Sequence, residues 1–103
     1  LKESKLQTDI MNMLLNHELV SWAYVTSAGG FRVKGGYITV GFKGLSDIIG
    51  QLKDGRLFAI EVKLPGKTPT PEQLGFIETV NSANGVAGWC DSVEGASLIL
   101  IGQ

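Results

Sequence analysis

The stretch Asp47-Ile48-Ile49-Gly50-Gln51-Leu52-Lys53-Asp54-Gly55-Arg56-Leu57-Phe58-Ala59-Ile60-Glu61-Val62-Lys63 decides how this chain folds. Residues 47–52 and 57–63 each read as a strand, and Lys53-Asp54-Gly55-Arg56 between them reads as the turn of a hairpin. In a strand, residues two apart share a face, so Glu61 and Lys63 point one way while Ile60 and Val62 point the other. Leu57 and Ala59 continue the Glu61 face, which therefore begins apolar and ends charged, as functional sites on sheets often do.

Whether Asp47 joins that face depends on the turn. A two-residue loop, Asp54-Gly55, would set Asp47 opposite Val62 and aim it away from Glu61. A three-residue loop, Lys53-Asp54-Gly55, pairs Leu52 with Arg56 and hence Asp47 with Glu61. Glycine at the third loop position suits the left-handed bulge such a loop requires, so the three-residue loop or an equivalent bulge is expected. Two opposed carboxylates repel unless a cation lies between them. Mg²⁺ or Mn²⁺ suits an all-oxygen site, where it would activate water and polarise a phosphodiester, with Lys63 placed to position the nucleophile or neutralise developing charge.

Upstream, Leu6, Ile10, Met13, Leu14 and His17 follow one helical face from Glu3 to about Leu19. Glu3 sits one turn before Leu6, at the rim of the inward side. Residues 22–26 read as a strand, and residues 31–40, broken by Gly35-Gly36, as a glycine-turned hairpin or arm. Downstream, Thr70-Pro71-Glu72-Gln73 has the form of a helix start, with Thr70 as cap, Pro71 at the first position and Gln73 completing a capping box. Leu74, Ile77, Phe76 and Val80 supply its buried side up to Asn84-Gly85. Residues 86–90 read as a core strand. Asp91-Ser92 then opens a short helix through Leu98, although Ser97 to Ile101 could instead form a strand. Trp22, Trp89, Phe31 and Tyr37 are aromatics able to stack on bases, but Trp22 and Trp89 fall in expected core strands and are assigned to the core.

Asp47, then Glu61-Val62-Lys63, preceded by a helix bearing Glu3 and followed by a helix bearing Gln73, resembles the PD-(D/E)XK nuclease superfamily, and within it the VRR-NUC group. The resemblance runs from Glu3 through the second helix. It implies a restriction-endonuclease-like α/β fold, a mixed sheet flanked by helices in the order α-β-β-β-α-β with a compatible short C-terminal helix. It also implies a DNA endonuclease in which Asp47, Glu61 and the Val62 carbonyl hold the metal, Glu3 adds an acidic ligand directly or through water, Lys63 is catalytic and Gln73 lies at the active-site edge. Ser46 departs from the pattern, because proline is common there. Small members of the group look like homodimers acting on branched DNA such as four-way junctions. The contrasting expectation is a non-catalytic nucleic-acid-binding or assembly module that keeps the fold.

The remaining features bound these readings. A chain of 103 residues, 44% hydrophobic, supports one modest core and a single domain. No run is long enough to span a bilayer, and the first residues lack a signal-peptide core, so an intracellular, cytoplasmic, soluble protein is expected. A lone cysteine, Cys90, and a lone histidine, His17, exclude an internal disulfide, structural zinc and triad chemistry. Gly66-Lys67-Thr68 imitates the end of a phosphate-binding loop, but Pro65 and Pro69 prevent the helix that must follow. The net charge is −1, yet all nine Lys and Arg lie at or before Lys67. Arg32, Lys34, Lys43 and Lys67, on glycine-rich or proline-rich segments expected near the site, are candidate phosphate contacts.

Overall fold

The computed structural model describes residues 2–26, 29–40 and 43–102, with residues 29–32 and 37–40 described by their backbone alone. The elements are α1 (Glu3–Leu15), β1 (Val20–Val25), β2 (Gly29–Val33), β3 (Gly36–Val40), β4 (Ile48–Leu52), β5 (Leu57–Val62), α2 (Pro71–Ser82), β6 (Val86–Cys90) and α3 (Val93–Leu100). Strands β1, β4, β5 and β6 form a mixed sheet in that order, while β2 and β3 pair separately as an arm. The two pairings within β1-β4-β5 are antiparallel, and β5 pairs with β6 in parallel through the α2 crossover. This is the α/β architecture expected, and the last segment resolves as helix, capped by the Ser92 hydroxyl accepting from Gly95 N.

The central hairpin has the three-residue register. Ile48 faces Ile60 and Gln51 faces Leu57. Leu52 N donates to Arg56 O at 2.8 Å, Gly55 N donates to Leu52 O at 2.9 Å, and Gly55 has φ +98°, a conformation that side chains disfavour. The pairing ends at Ile48 and Ile60, and one further step of the same register would set Asp47, just before β4, opposite Glu61.

Strand β5 is buried on both faces. Phe58, Ile60 and Val62 join Leu6, Ile10 and Leu14 of α1 and Ala96, Ile99 and Leu100 of α3 in the main core. The opposite face, with Ala59 and Glu61, is covered by α2, where Ile77 and Val80 are buried. Burying a residue the size of Phe58 or Ile60 contributes roughly 1.5–3 kcal/mol, so this strand anchors the fold.

Four expectations require correction. Helix α1 stops at Leu15 rather than near Leu19, because the Asn16 side-chain amide turns back to Asn12 O and the His17 ring accepts from Leu19 N in the turn that follows. Trp22 is 42% exposed, not core. The pairing of β1 with β4 is irregular between Val20 and Trp22, so Ser21 is an extra residue and Trp22 is carried to the face opposite Val20. Trp89 is 40% exposed because it shares the Glu61 face of the sheet, which α2 covers only in part. Leu74 is likewise exposed, since the first turn of α2 stands level with Glu61, where the apolar face gives way to charge. No helix among the described residues is long and apolar enough to cross a membrane.

Candidate functional site

Glu61 enters the site from the interior of a core strand and is only 1% exposed. Its Oε2 accepts from Gln73 Nε2 at 3.0 Å and lies 3.7 Å from Lys63 Nζ. Its Oε1 is buried with no hydrogen-bond partner among the described residues. A buried carboxylate with an orphaned oxygen is costly, and that cost shows in its titration. Burial pushes the Glu61 carboxyl up to about 8, helped by the Asp47 carboxyl beside it, which favours a protonated Glu61 able to donate to it and repels a charged one, while Lys63 pulls the other way. Glu3 adds a weaker repulsion.

Asp47 is aimed by its surroundings on three sides. Its Oδ2 accepts the Val62 N–H at 2.8 Å, where β4 no longer supplies a backbone acceptor. Thr26, just past the end of β1, donates its N–H to Asp47 O at 2.9 Å and its hydroxyl to Ser46 O at 2.8 Å. Before Asp47, Gly44 takes φ +86° and passes so close to the Glu72–Gln73 backbone of α2 that no side chain would fit. The loop carrying Asp47 is thereby seated on the helix carrying Gln73. Because a strand residue's N–H and C=O point to the same side, the Val62 carbonyl also faces the Asp47 flank.

Gln73 fills two roles at once. Its Oε1 accepts from Thr70 N at 2.8 Å and its own N–H donates to the Thr70 hydroxyl at 3.2 Å, a complete capping box. Its Nε2 is then the only part of the amide left to face Glu61, and it does so.

Asp47, Glu61, Lys63 and Gln73 are thus brought together. Glu3 is not a third member of a ligand cluster: no group of three or more His, Cys, Asp or Glu side chains able to hold a metal occurs among the described residues. It is exposed at the start of α1, close enough only to repel Glu61 through space. Of the candidate phosphate contacts, Lys34 is exposed in the turn of the β2–β3 arm and Lys67 is exposed in the connection before α2. Lys43 is exposed and lies 3.6 Å from Glu72 at the start of α2. The Arg32 side chain lies outside the described residues.

No family model matches this chain, and no curated protein or solved structure does. The site's chemistry is therefore read from its own geometry.

Two carboxyl groups meet, one deeply buried with an oxygen unpartnered among the described residues, beside a backbone carbonyl and a lysine. The oxygen set fits a hard divalent cation completed by water, and a cation would offset both the burial and the Asp47 charge that raise Glu61. Thiol chemistry has no place here, since burial pushes the Cys90 thiol up to about 11 and keeps it protonated. Sequence reasoning missed Thr26, although the placement of β1 beside β4 puts it opposite Asp47.

Proposed function

We propose that this protein is a Mg²⁺- or Mn²⁺-dependent nuclease that hydrolyses DNA phosphodiester bonds. The observation that carries the reading is the convergence of the Asp47 carboxyl with the buried, half-unsatisfied Glu61 carboxyl, flanked by Lys63 at 3.7 Å and Gln73 at 3.0 Å. The likeness of this pattern to PD-(D/E)XK nucleases, VRR-NUC domains in particular, supports the same reading.

Asp47, Glu61 and the Val62 carbonyl would hold the cation, with Glu3 contributing at most through water. When bound, such a cation lowers the pKa of a coordinated water and stabilises charge on the phosphate. Lys63 supplies a positive charge beside the reacting phosphate, and Gln73 fixes the Glu61 carboxyl so that its second oxygen faces the cation. Lys34, Lys43 and Lys67, all exposed, would supply phosphate contacts. Branched DNA, including four-way junctions, is the proposed substrate class, and a homodimer would present two such sites to a two-fold substrate.

The test is cleavage of junction, splayed and linear DNA by purified protein in Mg²⁺ or Mn²⁺, with a chelator control and Glu61→Ala alongside. Metal-dependent cutting that the substitution lowers by at least about 100-fold is expected. Wild-type protein that binds these substrates without cutting any of them would make the domain a binding module instead.

A further inference from the structure

Continuing the sheet register outward from the acid pair brings an aromatic into line with it. Glu61 on β5 and Trp89 on β6 are parallel partners, and Asp47, one residue before β4, reaches the same end of the sheet, where its carboxylate accepts from Val62 N. Adjacent strands lie about 5 Å apart, so the base of the Trp89 side chain is one strand spacing from that of Glu61 and on the same face. The residue is 40% exposed, although it belongs to a strand whose alternate residues Val86 and Cys90 are core. Its indole N–H makes no hydrogen bond among the described residues. Trp22 contrasts with it: equally exposed, on the far edge strand, but tied down by donating to Gln51 Oε1 at 3.0 Å.

A wide apolar ring left open next to a buried acid pair and a lysine offers what an unpaired nucleotide needs. Its face can take a base, while the phosphate follows the charged groups. We infer that Trp89 is a base-stacking residue that positions an unpaired nucleotide next to the Asp47–Glu61 pair, so that the preferred substrate carries single-stranded or frayed DNA at the point of attack. The inference rests on the nuclease reading for the reaction, but its binding step stands apart from catalysis.

The test uses the whole 103-residue chain carrying Trp22→Phe, which leaves Trp89 as its sole tryptophan. In chelator, titration with a short single-stranded oligonucleotide should quench Trp89 fluorescence, whereas a blunt duplex of equal length should quench it far less. Trp89→Ala should weaken single-strand binding by about 5- to 100-fold, Trp89→Phe should restore most of it, and Trp22→Ala should leave it within about twofold. In metal, Trp89→Ala should raise KM for splayed DNA more than it lowers kcat. Silent Trp89 fluorescence, or equal single-strand affinity of Trp89→Ala and wild type, overturns the inference. So does a Trp89→Ala protein altered only in sedimentation, which would make the ring a contact between chains. Cleavage with a silent Trp89 removes the stacking alone, whereas quenching without metal-dependent cleavage removes the nuclease reading alone.

Discussion

Gln73 donates its side-chain N–H to Glu61 Oε2 at 3.0 Å while the carbonyl of the same amide accepts from Thr70 N at 2.8 Å. One amide therefore ties the start of α2 to the buried acid of β5, and its two ends can be separated by mutation. Glutamate at the third helical position also completes a capping box, so Gln73→Glu keeps the cap but replaces the donor facing Glu61 with a second carboxylate. It should cost about 1–3 kcal/mol, from the hydrogen bond lost at buried Glu61 and the added like charge, with the helix cap intact, while cleavage falls at least about tenfold. Gln73→Ala should lose activity and the same hydrogen bond, and about 1 kcal/mol more with the cap. A fully active Gln73→Glu protein would reduce Gln73 to a cap.

Glu61 gives the metal-free protein an unusual pH dependence. Its carboxyl is raised from 4.5 to about 8, so the folded state holds its proton more tightly than the unfolded chain does. That contribution to stability is complete below about pH 4.5 and is lost as pH rises towards 8, roughly 2–5 kcal/mol over the window. Glu61→Gln has no proton to lose there. In chelator it should be flatter than wild type between pH 5 and 8, and more stable at the upper end. Mg²⁺ or Mn²⁺ should reverse the wild-type trend, stabilising more strongly at pH 8 than at pH 6, because binding must displace the proton. Parallel wild-type and Glu61→Gln curves from denaturant titrations across this range would contradict the assignment.

Ser46 provides a test in the opposite direction. The residue is 1% exposed and its hydroxyl has no hydrogen-bond partner among the described residues, while its backbone carbonyl is engaged by Thr26. Removing an unsatisfied buried hydroxyl recovers its desolvation cost. Ser46→Ala should be neutral or more stable by up to about 1 kcal/mol in urea denaturation, with cleavage unchanged. A loss larger than 1 kcal/mol would mean that the hydroxyl is satisfied, for example by a buried water.

The central hairpin and the second helix were legible in the sequence because each rests on local chemistry. Gly55 at the third loop position dictates the register that pairs Ile48 with Ile60, one step short of Asp47 and Glu61, and Thr70, Pro71 and Gln73 carry their own cap. The tryptophans were not legible, for two different reasons. Trp22 was moved by one extra residue at Ser21, which inverts the face of a strand without leaving a periodic trace. Trp89 has the pattern of a core strand, and only the limited cover that α2 gives β6 leaves it open. Glu3 reads correctly as a helix-rim acid, but the distance between α1 and the acid pair is set by tertiary packing that one-dimensional spacing does not encode. Thr26 and Gly44 gain their roles from strand order and close approach, both long-range.

Gly44 is the contact on which the relation between Asp47 and Gln73 depends. Its φ of +86° already disfavours a side chain, and a methyl placed there would collide with the backbone carbonyl of Glu72. Relief requires moving either the loop that ends in Asp47 or the first turn of α2, and either movement separates the two halves of the site. Gly35 serves as the control, with φ +91° in the arm turn and nothing among the described residues near the missing Cβ. Gly35→Ala should cost only the conformational strain, about 1–2 kcal/mol, and leave cleavage intact. Gly44→Ala should cost more, at least about 2 kcal/mol, and lower cleavage at least about tenfold even where the protein remains folded. Equal stability losses for the two variants, with full activity in both, would show that the loop and helix do not hold Asp47 and Gln73 in place through this contact.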